Sequence, residues 1–223
     1  MYALSPSEVL QSINASRDTL GKLPMRLIDV TTHAQSLIGG KPFAIIGGIA
    51  QILWARKTHT DDFDLAVSGP SFTRAYQRVR DDEAKPDWTL PSPPDRALEE
   101  DRVFKVCHLL FRGIVVDFIT FKKHAFNHVI LTDAIPVREF GNLPMINPEL
   151  LLVTHLLRPT IQAAMAAVEL LVARIEHGTQ YGTTKRGFNF QYAEHWATYV
   201  GKLHAYENAV RRARDLNNES FPR

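Results

Sequence analysis

The sequence predicts an α/β protein: a small mixed sheet with flanking helices, preceded by a helical segment and followed by a helical lobe. Three observations predict it. Short apolar runs of strand length, Phe43 to Ile46 and Phe63 to Val67, alternate with stretches of helical composition. Two longer apolar runs, Val103 to Phe111 and Ile114 to Thr120, flank Arg112-Gly113 in the pattern of a tight hairpin. From Pro148 onward the apolar residues take up helical spacing. Residues 1–40 are therefore assigned to the N-terminal extension, 41–147 to the core and 148–223 to the C-terminal lobe.

Taken in order, Ser5-Pro6-Ser7-Glu8 reads as a helix start, with Val9, Leu10 and Ile13 as a short apolar stripe. A second helix runs from about Pro24 to Ile38 on Leu27, Ile28, Val30 and Leu37, and stops at Gly39-Gly40. Phe43 to Ile46 is a continuous apolar run that suits a buried strand; Gly47-Gly48 then turns the chain into a helix over Ile49 to Ala55. The strand Phe63 to Val67 ends at Ser68-Gly69-Pro70 and leads to a helix around Phe72 to Arg80. Asp81 to Asp95 carries Pro86, Pro91, Pro93 and Pro94 and reads as an irregular exposed loop. After the hairpin, Val129 to Val137 and Leu143 to Ile146 read as shorter extended pieces. Helices follow over Leu150 to Leu157, Ala163 to Ile175 and Phe190 to Leu216, punctuated near Gly178, Gly182 and Gly187.

Bulk properties narrow the class. With 223 residues the chain can bury a real core, and 45% hydrophobic with 22% charged residues is an ordinary globular composition. A net charge of +2 argues neither for nucleic acid nor for a membrane surface. The single cysteine, Cys107, excludes an intrachain disulfide and a cysteine-based zinc site, and its apolar surroundings make it a core thiol. The opening MYALSPSEVLQ has no signal pattern and no apolar run spans a bilayer, so a cytoplasmic protein without a membrane partner is expected.

The chemistry concentrates in three aspartates. Alternate residues of a strand share a face, so Asp62 and Asp64 point one way while Phe63, Leu65 and Val67 point the other. Two adjacent carboxylates on an apolar strand repel each other unless a cation lies between them, and such hard oxygen donors suit Mg²⁺, with Mn²⁺ fitting the same set. Asp117 sits in the second strand of the hairpin, in Ile114-Val115-Val116-Asp117-Phe118-Ile119. The pair Gly47-Gly48, at the start of a helix, lets backbone N–H groups approach phosphate oxygens closely. Asp61 alternates away from the pair and reads as a loop or capping residue.

Strand, Gly-Gly, helix, a strand with Asp-x-Asp and a later strand with a third Asp together resemble the nucleotidyltransferases of the DNA polymerase beta superfamily. The nearest likeness is to their AbiEii-like and minimal nucleotidyltransferase branches, found in toxin–antitoxin and phage-defence systems. Ile45-Ile46-Gly47-Gly48 with Thr60-x-Asp62-Phe63-Asp64-Leu65 carries the resemblance, and Met145-Ile146-Asn147-Pro148-Glu149-Leu150-Leu151 resembles the family's Pro-Glu-x-Leu start of its C-terminal helices. The resemblance implies an enzyme that moves a nucleoside monophosphate from an NTP to a hydroxyl of a tRNA, a protein or a small molecule. Asp62, Asp64 and Asp117 would be its catalytic metal ligands, and Gly47, Gly48, Arg56, Lys57, Thr60 and His155 its nucleotide-binding residues. A cognate toxin or antitoxin would be the protein partner.

This chain departs from the family at three places. His155 stands where a lysine is frequent, Arg158-Pro159-Thr160-Ile161-Gln162 lacks the usual acids, and Thr58 takes the place of an arginine. A second reading stays open beside the first: the same fold serving as a binding protein in a toxin–antitoxin or regulatory pair. In the enzyme reading, all three carboxylates converge on one side of the sheet and the C-terminal helices close the cleft, with His155 near its rim.

Other features read more plainly. His124 and His128 have the spacing of a zinc pair on a helix but no accompanying glutamate. Lys185-Arg186 and Arg211-Arg212-Arg214, with Tyr181, Phe188, Phe190, Tyr192 and Trp196 nearby, have the composition of an RNA surface, yet basic helix ends and core aromatics explain them better.

Overall fold

Apolar strands of four to eight residues form the centre of the computed structural model, which describes residues 27–55, 60, 62–84, 86–138, 141–177, 179–181 and 184–220. The helix start at Ser5, Arg56, Lys57 and Asp61 lie outside the described residues. Strands β1 (Phe43–Ile46), β2 (Asp62–Val67), β3 (Trp88–Thr89), β4 (Leu98–Glu100), β5 (Phe104–Phe111), β6 (Ile114–Phe121), β7 (Ile135–Val137) and β8 (Leu143–Met145) make one mixed sheet in the order β3-β5-β6-β2-β1-β8-β7. Strand β4 pairs with the outer edge of β5 beyond β3. Strands β9 (Thr179–Tyr181) and β10 (Thr184–Arg186) form a separate hairpin. The helices are α1 (Leu27–Leu37), α2 (Gly47–Trp54), α3 (Gly69–Arg80), α4 (His124–Thr132), α5 (Pro148–Leu157), α6 (Ile161–His177), α7 (Phe190–Tyr199) and α8 (Leu203–Ser220). The α/β class and the mixed sheet agree with expectation.

Two pairings position the site. The hairpin β5–β6 turns on Arg112 (φ 47°) and Gly113 (φ 80°), whose left-handed conformations match the twist of the strands they join. Its second strand runs parallel to β2 with Asp64 opposite Asp117, while β1 runs antiparallel to β2 with Ile46 opposite Asp64. One face of β2 and β6 carries Phe63, Leu65, Val116 and Phe118, all buried, and the other carries the carboxylates. Buried Asn127 of α4 ties the far ends of these strands together: its amide donates to the Val67 carbonyl at 3.0 Å, and its oxygen accepts the Phe121 N–H at 2.9 Å.

The helices after Pro148 share the core with the sheet. Asn147 caps α5 by accepting the Leu150 N–H at 2.8 Å, and Pro148 follows at the first turn, where its missing N–H costs nothing. Helix α5 buries Leu150, Leu151, Leu152, Val153 and Leu157, and the Trp54 indole of α2 donates to the Ile146 carbonyl at 2.7 Å.

Four expectations change. Val129 to Thr132 is the end of α4, not extended chain: Phe126 and Ile130, one helical turn apart, are both fully buried, so the helical period overrides the β-branched composition. The single helix expected over Phe190 to Leu216 is two, α7 and α8, because Gly201 takes φ 78° between them. The loop Asp81 to Asp95 contains β3, and β4 follows it, so the stretch is less irregular than its prolines suggest. A hairpin, β9–β10, occupies the glycine-punctuated stretch before α7.

Candidate functional site

Strand alternation and register place the acids. Asp62 and Asp64 share a face of β2, and Asp117 lies directly across from Asp64 on β6. One carboxylate oxygen from each of the three lies within 4.8 Å of one from each of the others, the only such acidic, His or Cys group among the described residues. This is the convergence expected from the sequence. His124 and His128 are exposed on α4 and belong to no such group.

The local chain conformation admits the cluster. Gly47 sits at φ 60°, in the left-handed region, and a Cβ there would lie 2.8 Å from the Asp64 Cβ and overlap the Asp64 carboxyl group outright. The next amide, Gly48 N–H, donates to Asp64 Oδ2 at 3.2 Å. The glycine pair thus makes room for Asp64 and holds it, a contact absent from the expectation that both glycines serve only phosphate. Thr60, itself buried, donates its hydroxyl to Asp62 Oδ1 at 2.8 Å. His108 of β5 donates from Nδ1 to Asp117 Oδ1 at 2.8 Å, and its Nε2 lies 3.4 Å from Glu99 Oε2 on β4.

The electrostatics are those of crowded like charges. Asp64 is pushed up to about 7, first by burial, then by the Asp62 and Asp117 charges; the Arg158 guanidinium and the Gly48 N–H pull the other way. His108 is raised, chiefly by its hydrogen bond to Asp117 and against the effect of burial. Cys107 is fully buried and raised to about 12 by burial and the Asp117 charge, an inert core thiol as expected. A cluster whose central carboxylate resists ionisation alone, made only of hard oxygen donors, fits a Mg²⁺-class or Mn²⁺-class divalent cation.

Beside the cluster lies a narrow cleft between this face of the sheet and α5, lined by Ile46, Gly47, Phe104 and Phe121 from one side and Thr154, His155 and Arg158 from the other. Helix α5 therefore forms one wall of the cleft beside the acids, with His155 on that wall. Its Nε2–H donates to Gln51 Oε1 at 2.7 Å, and the Gln51 amide in turn donates to the Ala166 carbonyl at 3.1 Å, joining α2 to α5 and α6. Arg158, at the end of α5, spans the mouth with its guanidinium 5.9 Å from the centre of the Phe104 ring. Arg158, His108 and Glu99 are the residues that sequence reasoning did not assign to the site.

Away from the cleft, Phe188 is buried and Phe190, Tyr192 and Trp196 pack against the core, so these aromatics are structural. The Tyr192 hydroxyl donates to Asp133 Oδ2 at 2.6 Å. No helix among the described residues is long and apolar enough to cross a membrane. Comparison of the chain with known protein-family models and with curated proteins finds no match.

Proposed function

We propose that the chain is a metal-dependent nucleotidyltransferase that moves an NMP from an NTP to an acceptor hydroxyl on an RNA, a protein or a small molecule. The observation that carries this reading is the convergence of three carboxylates on paired strands, next to a helix that opens with Gly47-Gly48 and beside a cleft lined by Arg158. Asp62, Asp64 and Asp117 would hold Mg²⁺ or Mn²⁺, and the bound cations would neutralise phosphate charge and polarise the attacked phosphorus. Thr60 and Gly48 keep two of the carboxylates oriented through their hydrogen bonds. Asp117 is the base for the proton of the attacking hydroxyl. Arg158 and His155 face the cleft from α5 and attract the triphosphate, in the place where the sequence departs from the family it resembles. A toxin–antitoxin or phage-defence setting follows from that resemblance.

Calorimetry with a non-hydrolysable NTP, with and without Mg²⁺, tests the reading. Binding that requires the cation and is lost in Asp62→Asn and Asp64→Asn is the expected result. Cation-independent NTP binding fits instead a binding protein that keeps the fold. Transfer of label from an α-labelled NTP to RNA, protein or small molecules then separates the acceptor classes, and unchanged transfer by both Asn variants would sink the assignment.

A further inference from the structure

We infer that His108, braced by Glu99, is a positioning residue that sets the Asp117 carboxylate for a divalent cation; this rests on the reading of the three aspartates as a metal site. The rung that crosses the sheet through Ile46, Asp64 and Asp117 ends on His108, directly opposite Asp117 in the β5–β6 pairing. All four side chains therefore lie on one face.

The hydrogen bonding of the cluster follows one pattern. Among the described residues, each aspartate has one oxygen held by one protein donor: Asp62 by the Thr60 hydroxyl at 2.8 Å, Asp64 by the Gly48 N–H at 3.2 Å and Asp117 by His108 Nδ1–H at 2.8 Å. Among the described residues, Asp117 has no other hydrogen-bond donor. Among these residues, its second oxygen is left to serve a ligand and the imidazole is what fixes its plane. The imidazole is fixed in turn, because Glu99 Oε2 on β4 lies 3.4 Å from Nε2 at the opposite side of the ring. A carboxylate that must coordinate with one oxygen gains from having the other anchored, since a rotating side chain loses rotamer freedom on binding.

A surface ion pair is the plain alternative. Against it, the side chains of Asp117 and His108 are only 13% and 28% exposed, and the neighbouring residues of this face of the hairpin, Val106 and Ile119, are apolar and buried. Charge alone predicts the opposite outcome from positioning. Removing a positive group beside three carboxylates would tighten cation binding, whereas removing an orienting donor loosens it.

The test is Mn²⁺ binding to the full chain without nucleotide, read by electron paramagnetic resonance, with circular dichroism to verify folding. His108→Leu keeps bulk against Val106 and removes the donor; it should weaken Mn²⁺ binding by about 10–100-fold, the usual effect of losing a group that orients a metal ligand. His108→Asn, whose amide N–H can replace Nδ1–H, should restore most of that loss. Glu99→Gln should weaken binding by only a few-fold, since the Asp117 contact remains. A folded His108→Leu that binds Mn²⁺ as well as or better than wild type overturns the positioning role, even if its melting temperature falls. Should His108→Leu not fold, a His108→Ser variant supplies the same comparison at smaller volume. If the wild-type chain itself does not bind Mn²⁺, or Asp64→Asn binds as tightly, the metal reading fails first, and that failure is distinct from the failure of His108.

Discussion

Gly39-Gly40 and Gly47-Gly48 are the same dipeptide eight residues apart, and the chain uses them for opposite purposes. In the first, both residues take left-handed φ values, 75° and 71°, and end α1, with Gly39 N–H bonded to the Ser36 carbonyl and Gly40 N–H to the Gln35 carbonyl. The Gly39 Cβ position faces the Arg74 guanidinium and the Gly40 position faces open space. In the second pair, Gly47 at φ 60° starts a helix, and what fills the space of its missing side chain is the carboxyl group of Asp64. Backbone conformation alone does not separate a cap from a site. The separating feature is what occupies the missing Cβ's place.

The largest effect should come from breaking the second pair. Gly47→Ala adds left-handed strain of about 1–2 kcal/mol and forces Asp64 out of its place. The expected outcome is loss of Mn²⁺ binding together with lower thermal stability. A double-mutant cycle sharpens this. In an Asp64→Ala background the carboxyl overlap is gone and only the 2.8 Å approach of the two Cβ positions remains, so Gly47→Ala should cost clearly less than in wild type. If the cost of Gly47→Ala is the same in both backgrounds, the glycine is simply a turn, and the two pairs are alike after all.

Asp64 itself comes next in size. Its folded-state pKa, near 7, lies above the ordinary carboxylate value of 3.8, so the folded chain binds more protons than the unfolded chain between those limits. Stability linked to this group is therefore present at low pH and lost as pH rises through that window. Asp64→Asn keeps an acceptor for the Gly48 N–H without the buried charge. In metal-free buffer it should melt several degrees above wild type at pH 8, with the gap closing towards pH 5. Added Mg²⁺ or Mn²⁺ should raise the wild-type melting temperature and leave the variant nearly unmoved. A gap that does not change with pH would mean that Asp64 is not the strained member of the cluster.

The contrast also shows how far the sequence carries. Asp62, Asp64 and Asp117 were legible because strand alternation and a two-residue turn are local rules. The same hairpin arithmetic reaches further than expected: three rungs above Phe111–Ile114, Asp117 must face His108. His108 was hidden by its apolar neighbours, which made the strand read as pure core. Arg158 was not legible, since its place at the cleft mouth depends on how α5 packs over the sheet. The fold was misread where composition and period disagree, at Val129 to Thr132, and where one glycine, Gly201, divides two helices of similar character. Insertion of β8 beside β1, parallel and joined by one register pair, is a long-range choice with no local signature.

The smallest predicted effect tests the comparison from the other side. Gly39→Ala and Gly40→Ala should leave Mn²⁺ binding unchanged, because neither position faces the aspartates. Both incur the left-handed penalty of about 1 kcal/mol, partly offset by the reduced freedom of the unfolded chain, and so should lower the melting temperature by only about 2–4 °C. Gly40→Ala has nothing within 4 Å of its new methyl and should show that backbone penalty alone. Gly39→Ala must also push aside Arg74, whose guanidinium is the movable end of a flexible side chain, so its cost should be slightly larger. The order Gly47, then Gly39, then Gly40 is thus set by what each new methyl meets: a buried carboxyl group, a flexible cation, or nothing. Equal destabilisation at all three positions would show that φ alone governs these glycines, and the distinction between cap and site would then rest on Asp64 without help from Gly47.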